Sequence, residues 1–514
     1  MTSRRRFLGA AGLMAGIMAG ISAVWPRALR AQGQPPQTPA KAKPPKPKPE
    51  GVLVNDLHSN LNTTRVFRVI DVDSAEAVRK AFALAQKEQH PICIAGGRHA
   101  MGGQQFGTDG LLLDTRKLVK VLDFDAERGL LEVEAGVQWP RLYEFLLSAQ
   151  RGRDKQWTFA QKPTGANRMS IGGCLSANIH GRGLAMPPFI ADIESFKLID
   201  AKGALHDCSR SQNEELFRLA IGGYGLFGFV YSVTLRLAPR RKLERVSELR
   251  AVEGIAGAFA ERFRDGFLYG DFTCLTDEKS ADFLRQGAFT CYRLMPDDSP
   301  LPVSQRALDE KDRLSLLEIA HTDKPAAFRR YASRQLATGG QLVWSDEQQM
   351  APYPDGYHRE VERRTQLPRG TDVITELCCE PAALERFMQE VRDYAKREEV
   401  DIIGATVRMI EEDKESYLTW ARKPYACLSL NVHLEHSTRG MIRAGDSFRR
   451  LIDIALRHGG SFYPAYHRHA LRRQMDVCFP QFQEFLKLKR KYDPTELFQS
   501  DWYKHYKSMY FFKQ

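Results

Sequence analysis

The stretch CIAGGRHAMGG, residues 93–103, decides how the rest of the chain is read. Gly96-Gly97 and Gly102-Gly103 bracket Arg98 and His99. Glycines at a strand end let backbone N–H groups approach an anion without a Cβ in the way. By itself the loop suits a phosphate, a metal, a cofactor or a plain turn. A dinucleotide fingerprint needs Gly-x-Gly-x-x-Gly opening a helix. Ala95-Gly96-Gly97-Arg98-His99 does not supply it, and Ala100 and Met101 continue as loop.

Two further glycine clusters follow. One is PTGANRMSIGGCLSANIHGRG, residues 163–183, and the other is GGYGLFGFV, residues 222–230, which runs into YSVTLRL. One such stretch is weak evidence. Three, each expected to end a strand, predict a long ligand threaded across one face of a domain, and a dinucleotide has that length.

Around these loops the text alternates strands and helices. VFRVIDV (66–72) reads as one strand and SAEAVRKAFALAQKEQ (74–89) as a helix. Ser74 serves as its N-cap, and Ala75, Val78, Ala81, Phe82 and Leu84 form the buried stripe. PICIAGG, GLLLD, VLDFD and GLLEVEAG read as strands, WPRLYEFLLSAQ as a helix, and residues 196–220 as a hairpin followed by a helix. From about residue 241 the glycine loops stop. AALERFMQEVRDYAKREE reads as a helix and ACLSLNVHLEH as a strand, so residues 241–460 predict a second domain with an antiparallel sheet backed by helices. Residues 461–514 are aromatic and basic and are expected to pack back on the first domain, residues 53–240. The expected fold class is α+β.

The net charge of +12 suggests nucleic acid until it is located. Residues 1–31 hold five Arg and no acid, and residues 32–51 hold four Lys and one Glu, leaving only +4 for the rest. A nearly balanced body argues against a DNA or RNA partner. Ser3-Arg4-Arg5-Arg6-Phe7-Leu8 followed by an apolar run to about Trp25 reads as a secretory signal over residues 1–31 and resembles the twin-arginine type. The expected location is the periplasm, or the outer side of the inner membrane if the signal is retained. Residues 32–52, rich in Pro and Lys, read as an extended tether. Nine scattered cysteines do not form a disulfide scaffold for a chain this long. Cys174 reads as structural, and the adjacent Cys378-Cys379 as either two small residues at a strand end or a redox-active pair.

Taken in order, the three clusters resemble the FAD-binding domain of the vanillyl-alcohol oxidase and p-cresol methylhydroxylase flavoprotein superfamily. The matching residues are Gly96, Gly97 and His99; then Gly172, Gly173, His180 and Gly181; then Gly222, Gly223, Gly225, Phe227 and Gly228. The tail, GGSFYPAYHRHA and YDPTELFQSDW, resembles the sugar-oxidising branch, including the aldonolactone oxidases. The resemblance implies two α/β subdomains around FAD, plus a cap domain that carries the substrate site. It implies that Ala95, Gly96, Gly97, Arg98, His99, Ala100, Met101, Gly102 and Gly103 cradle the pyrophosphate, with Arg98 either adding charge or solvated. It extends the FAD site to Pro163, Thr164, Gly165, Ser170, Gly172, Gly173, Ser176, Asn178, His180, Gly181, Gly223, Gly225, Gly228 and Val230. Asn178, Ser176 and His180 divide between a cofactor contact and a structural role. His99 stands where many members bond the flavin covalently and others do not.

The same resemblance implies hydride transfer from an alcohol carbon of a sugar, polyol or aldonolactone. Electrons pass on to oxygen or to a quinone or cytochrome; a non-catalytic flavin-binding module is the minor alternative. Membrane contact is expected only through an uncleaved signal. Arg408 matches a substrate-gripping arginine, but Thr406 stands where its partner glutamate is expected. Tyr466 occupies the place of a lysine near the flavin, with His467 and His469 beside it. Asn431 and His433 lie on the polar face of the strand CLSLNVHLEH and are candidates to line the pocket. His433-Leu434-Glu435-His436 hints at a metal chelate, but strand alternation sends its histidines apart, so no metal ligands are assigned.

Overall fold

A computed structural model describes residues 51–301, 310–350 and 356–511. The expected signal and nearly all of the tether lie outside them. The described residues form a single compact unit by their internal contacts.

β1 (Val52–Val54) and β2 (Thr64–Val66) pair antiparallel. β3 (Arg68–Asp71), α1 (Ala75–Glu88), β4 (Ile92–Ala95) and β5 (Leu111–Asp114) follow; the strands form a parallel sheet of order β3-β5-β4. The segment expected as one strand, 66–72, is therefore two. Phe67 breaks it: its N–H donates to the Gly110 carbonyl at 2.8 Å and its ring stacks on His90. In α1 the Ser74 hydroxyl accepts from the Ala77 N–H, as an N-cap does. Val78, Ala81, Phe82 and Ala85 are the buried stripe, whereas Ala75 and Leu84 sit at its half-buried margins. Burying a side chain such as Val78 or Phe82 stabilises by about 2 kcal/mol.

Next come β6 (Val121–Asp125), β7 (Leu130–Glu134), α2 (Trp139–Ala149), β8 (Trp157–Thr158), α3 (Ile171–Ala177), β9 (Ile193–Ile199), β10 (Leu205–Ser209), α4 (Glu214–Ala220), β11 (Phe229–Arg236) and β12 (Ala238–Pro239). Five strands form an antiparallel sheet of order β10-β9-β11-β7-β6, and β12 pairs with β8. This corrects the expectation that every glycine cluster ends a strand. Only the first does. Gly172 and Gly173 lie in the first turn of α3, and the third cluster links α4 to β11. Close packing explains the helical pair: a Cβ on Gly172 would lie 2.8 Å from the Ala135 Cβ.

β13 (Lys242–Ala251), α5 (Ile255–Arg264), β14 (Phe267–Cys274), β15 (Gln286–Leu294), α6 (Glu310–Thr322), α7 (Lys324–Ala337), β16 (Leu342–Trp344), α8 (Tyr357–Thr365), β17 (Gly370–Cys379), α9 (Leu384–Arg397), β18 (Ile402–Ile410), β19 (Tyr425–Glu435), α10 (Thr438–Arg457) and β20 (Ser461–Phe462) complete the middle of the chain. Their strands make an eight-stranded antiparallel sheet, order β16-β13-β15-β14-β18-β19-β17-β20. Alternation gives this sheet two faces. Leu428, Leu430, Val432 and Leu434 of β19 are buried on the apolar face, where α10 packs on β17 and β19. On the other face α6, α7 and α8 pack against β18, β13, β15 and β17. α11 (Arg472–Cys478), α12 (Phe482–Tyr492) and α13 (Asp501–Phe511) end the chain. They return to the start of the fold: the Gln499 N–H donates to the Ile92 carbonyl, and Trp502 lies 4.7 Å from the Tyr224 ring.

Candidate active site

One large cavity collects all three glycine clusters. It encloses about 1120 Å³ including its mouth. Gly96, Gly97, Arg98, His99 and Ala100 contribute from the loop after β4. Pro163, Ser170, Gly172, Gly173, Ser176 and His180 contribute around α3, and Gly225, Gly228 and Val230 before and in β11. Tyr224 and Tyr463, not assigned by sequence, complete the wall with Tyr466, Gln104, Gln105 and Cys174. The lining is mostly apolar, with a few convergent polar groups, which is the usual character of a cofactor site.

Local packing explains why these positions are glycines. A Cβ on Gly96 would come within 1.9 Å of the Ser170 hydroxyl, which itself caps α3 by accepting from the Gly173 N–H. Gly225 has φ +72°, and a Cβ there would meet nothing nearer than Ile94 at 3.7 Å. A side chain at Gly225 would therefore both strain the backbone and enter the void.

Several assigned residues support the wall rather than forming it. Ala95 and Met101 are buried behind it, and the Met101 carbonyl accepts from Asn62 at 2.6 Å. The Gly102 N–H donates to Gln104, whose amide reaches the Ala465 carbonyl, and Gly103 (φ +80°) lies against Arg468. Gly181 donates to Gln161. A Cβ on Gly223 would strike the Leu219 carbonyl, and Gly165 has no heavy atom near its Cβ position. Asn178 is the left-handed C-cap of α3. Its amide donates to Asp413 at 2.8 Å and its oxygen accepts from the Ile190 N–H, so the structure gives it a bracing role. Arg98 lines the cavity and is largely buried, not solvated. It has φ +58° and is paired with the buried Asp114 at 2.8 Å.

The sheet brings an acidic group up behind two cavity-lining residues, His180 and Tyr466. Register aligns Glu376 of β17 with Ser429 of β19 and Thr406 of β18. The next row is Cys378, Cys427 and Arg408. All six are on one face. Glu376 is 1% exposed, lies 3.0 Å from His180 Nε2, and faces Tyr466. His180 Nδ1 lies 3.0 Å from its neighbour's carbonyl, that of Gly181, leaving Nε2 toward the carboxylate. Both Glu376 oxygens lack a well-aligned hydrogen bond among the described residues. Burial pushes this carboxyl upward, but His180, Arg408 and Tyr466 outweigh it and hold it below the ordinary range. Burial, then Glu376, pushes the Tyr466 phenol far upward, so it stays a hydrogen-bond donor.

Arg408 ties the sheet to the loop before α3 through Thr164, Nη2 to Oγ1 at 2.5 Å. Four other candidates are directed elsewhere. His467 bonds Thr375, one residue along from Glu376 and thus on the opposite face, and stacks on Phe448. His469 lies beside the same ring. Asn431 sits one row beyond Ser429, paired with Ile374, and His433 a further row away, paired with Asp372. None of these four lines the cavity, and neither do Arg408 or Glu376, but Glu376 contacts the cavity-lining His180 and Tyr466. Sequence reading missed Glu376, because a lone glutamate in TELCC carries no motif; only the pairing of β17 with β19 reveals it. It also missed Lys162, fully buried beside Pro163, whose ammonium bonds the Pro163 and Ala166 carbonyls.

Comparison with known proteins agrees with this geometry. Residues 68–209 match the family model described as an FAD binding domain. Over 174 residues the chain is 27% identical to L-gulonolactone oxidase of Bos taurus, covering 34% of this chain and 38% of that protein. It is 29% identical over 197 residues to the mitochondrial L-galactono-1,4-lactone dehydrogenase 2 of Oryza sativa subsp. japonica, 37% and 32% of the two chains. With the mitochondrial L-galactono-1,4-lactone dehydrogenase of Arabidopsis thaliana it shares 30% identity over 201 residues, 37% and 31%. The matches span well under half the length of these relatives. The residues present fit the cofactor: the cavity wall is glycine backbone from three segments, and at Gly225 a Cβ would fill the space.

Proposed function

We propose, from the premise that residues 68–209 are an FAD-binding domain and FAD the cofactor, that this chain is an oxidoreductase. Its donor is an alcohol carbon of a sugar, polyol or aldonolactone. The observation that carries the reading is Glu376, a buried carboxylate that contacts His180 and Tyr466, both of which line the glycine-walled cavity. The bound flavin supplies the two-electron acceptor chemistry. The chain's own groups supply position and proton transfer. Glu376 accepts the hydrogen bond, and then the proton, of the substrate hydroxyl. His180 stabilises the carboxylate before that transfer. Tyr466 donates toward the same site, and the Arg408 guanidinium adds positive charge that orients an oxygen-rich substrate. Thr406 cannot act as an acid or base, and Glu376, two strands away in the same row, supplies the carboxylate instead.

The aldonolactone class is favoured because the relatives above carry lactone names. They include both an oxidase and dehydrogenases, and the proposed acceptor is oxygen or, alternatively, a quinone or cytochrome. Slow reoxidation of the reduced protein in air selects the second. His99 lines the cavity and is the proposed covalent anchor. Acid precipitation tests it: flavin pelleting with the protein supports the bond, and flavin in the supernatant excludes it. Export to the periplasm through the arginine-rich leader is part of the same proposal, read by fractionation.

The deciding experiment is anaerobic bleaching of the flavin by a panel of sugars, polyols and aldonolactones. Wild-type protein should bleach with at least one. Glu376→Gln should keep its flavin spectrum and lose roughly 100-fold or more in bleaching rate, within the range expected for a lost general base. A variant that bleaches at the wild-type rate would sink the assignment.

A further inference from the structure

The same polar sheet face carries a second cluster, farther along β17. Asp372 lies four residues from Glu376, about 13 Å along a strand, and is the register partner of His433. His433 Nδ1 is 3.0 Å from Asp372 Oδ1. His321, near the end of α6, brings its Nε2 to 3.3 Å from Asp372 Oδ2. One ligand atom from each of the three lies within 4.8 Å of the other two. From α8, His358 adds a nitrogen 4.0 Å from the same carboxylate. The side chains of Asp372, His321 and His358 are 1%, 3% and 6% exposed.

The contact of His321 Nε2 with Asp372 Oδ2, at 3.3 Å, is long and poorly aligned for a hydrogen bond. The spacing also has a meaning. Zinc with nitrogen and oxygen ligands at about 2.0–2.1 Å in a tetrahedron sets neighbouring ligand atoms about 3.3 Å apart. His321 Nε2 is 3.3 Å from Asp372 Oδ2 and His433 Nδ1 is 3.0 Å from Oδ1, so the two rings meet different oxygens of one carboxylate, and an ion between the rings would take one of these. The Tyr357 hydroxyl donates to Asp372 and fixes the carboxylate from outside. Gly370 leaves room for the His433 ring, since a Cβ there would lie 2.5 Å from its Cε1.

We propose that His321, Asp372 and His433 bind a divalent metal ion, zinc by their donor set, with His358 or a water as the fourth ligand. Imidazole and carboxylate donors in a tetrahedral arrangement favour zinc over magnesium or calcium. Three of the side chains come from separate elements: α6, β17 and β19. The ion therefore pins the helices that cover this face of the sheet, and its burial makes it a structural centre rather than a second reaction site. The motif at residues 433–436 does not build it. The remaining ligands arrive from more than a hundred residues upstream and from the neighbouring strand.

The test uses the full chain, expressed without a polyhistidine tag. Elemental analysis after desalting should give about one zinc per chain. Removing metal with a chelator should lower the thermal midpoint, and one equivalent of Zn²⁺ alone should restore it. His321→Gln should lose both the bound zinc and the response to Zn²⁺ while keeping its flavin spectrum. Wild-type protein with only trace metal, and a midpoint that neither chelator nor Zn²⁺ moves, would overturn the proposal in favour of a purely ionic His–Asp cluster. So would a His321→Gln variant with full zinc content. Should that variant fail to fold, the wild-type stoichiometry and Zn²⁺ response still decide.

Discussion

Lys162 shows what burial does to a single residue. Its side chain is shielded and held by two carbonyls, with no carboxylate bonded to it among the described residues, and burial lowers its amine to about 7. A lysine whose folded value lies below its unfolded one binds fewer protons folded than unfolded, so stability rises with pH between the two values. The window runs from about 7 to the ordinary 10.5. Below it the full penalty applies, on the order of 5 kcal/mol. Lys162→Met should therefore flatten the rise of the thermal midpoint between about pH 7 and 10 and raise it at neutral pH. An unchanged slope in that variant would place the source of the pH dependence in other groups. Glu376 illustrates the opposite balance: a buried acid kept ionised because its neighbours outweigh its burial.

At the scale of elements, the first glycine loop and α3 are a single unit. Ser170 caps α3 and packs against Gly96, where a Cβ would sit 1.9 Å from the hydroxyl. Gly96→Ala forces the cap away from the loop. The expected cost is about 1–3 kcal/mol, as for other overpacked sites, together with a lower flavin content at fixed FAD concentration. Calorimetry and the absorbance ratio read the two effects, and normal values for both would show that the loop yields freely. The sheet behaves in the same way. Glu376, Ser429, Thr406 and Arg408 face one side only because three strands share a register, and a one-residue slip would turn them away from the cavity.

Across the whole molecule, the C-terminal helices close the cofactor end. Trp502 is fully buried and touches Tyr224, Phe482 and Tyr506. Trp502→Ala should cost about 3–5 kcal/mol and also weaken FAD binding, because Tyr224 lines the cavity. Denaturant unfolding and FAD titration measure both; lost stability with unchanged FAD affinity would separate the tail from the site. The cofactor loops were legible in the sequence because glycine marks a backbone constraint that is local. The same holds for the Ser74 cap and the stripe of α1. Periodicity could also divide β19 into an apolar and a polar face. It could not say which part of the polar face meets the cavity, so Asn431, His433 and His467 looked equivalent to Tyr466. It could not find Glu376, Lys162 or the approach of His321 to Asp372, and it left Arg98 without its partner Asp114. Those facts depend on strand order, register and helices packed across the sheet. Local sequence determined where backbone needs glycine and which faces are apolar; the tertiary structure alone decided which charges meet, because their partners lie far apart along the chain.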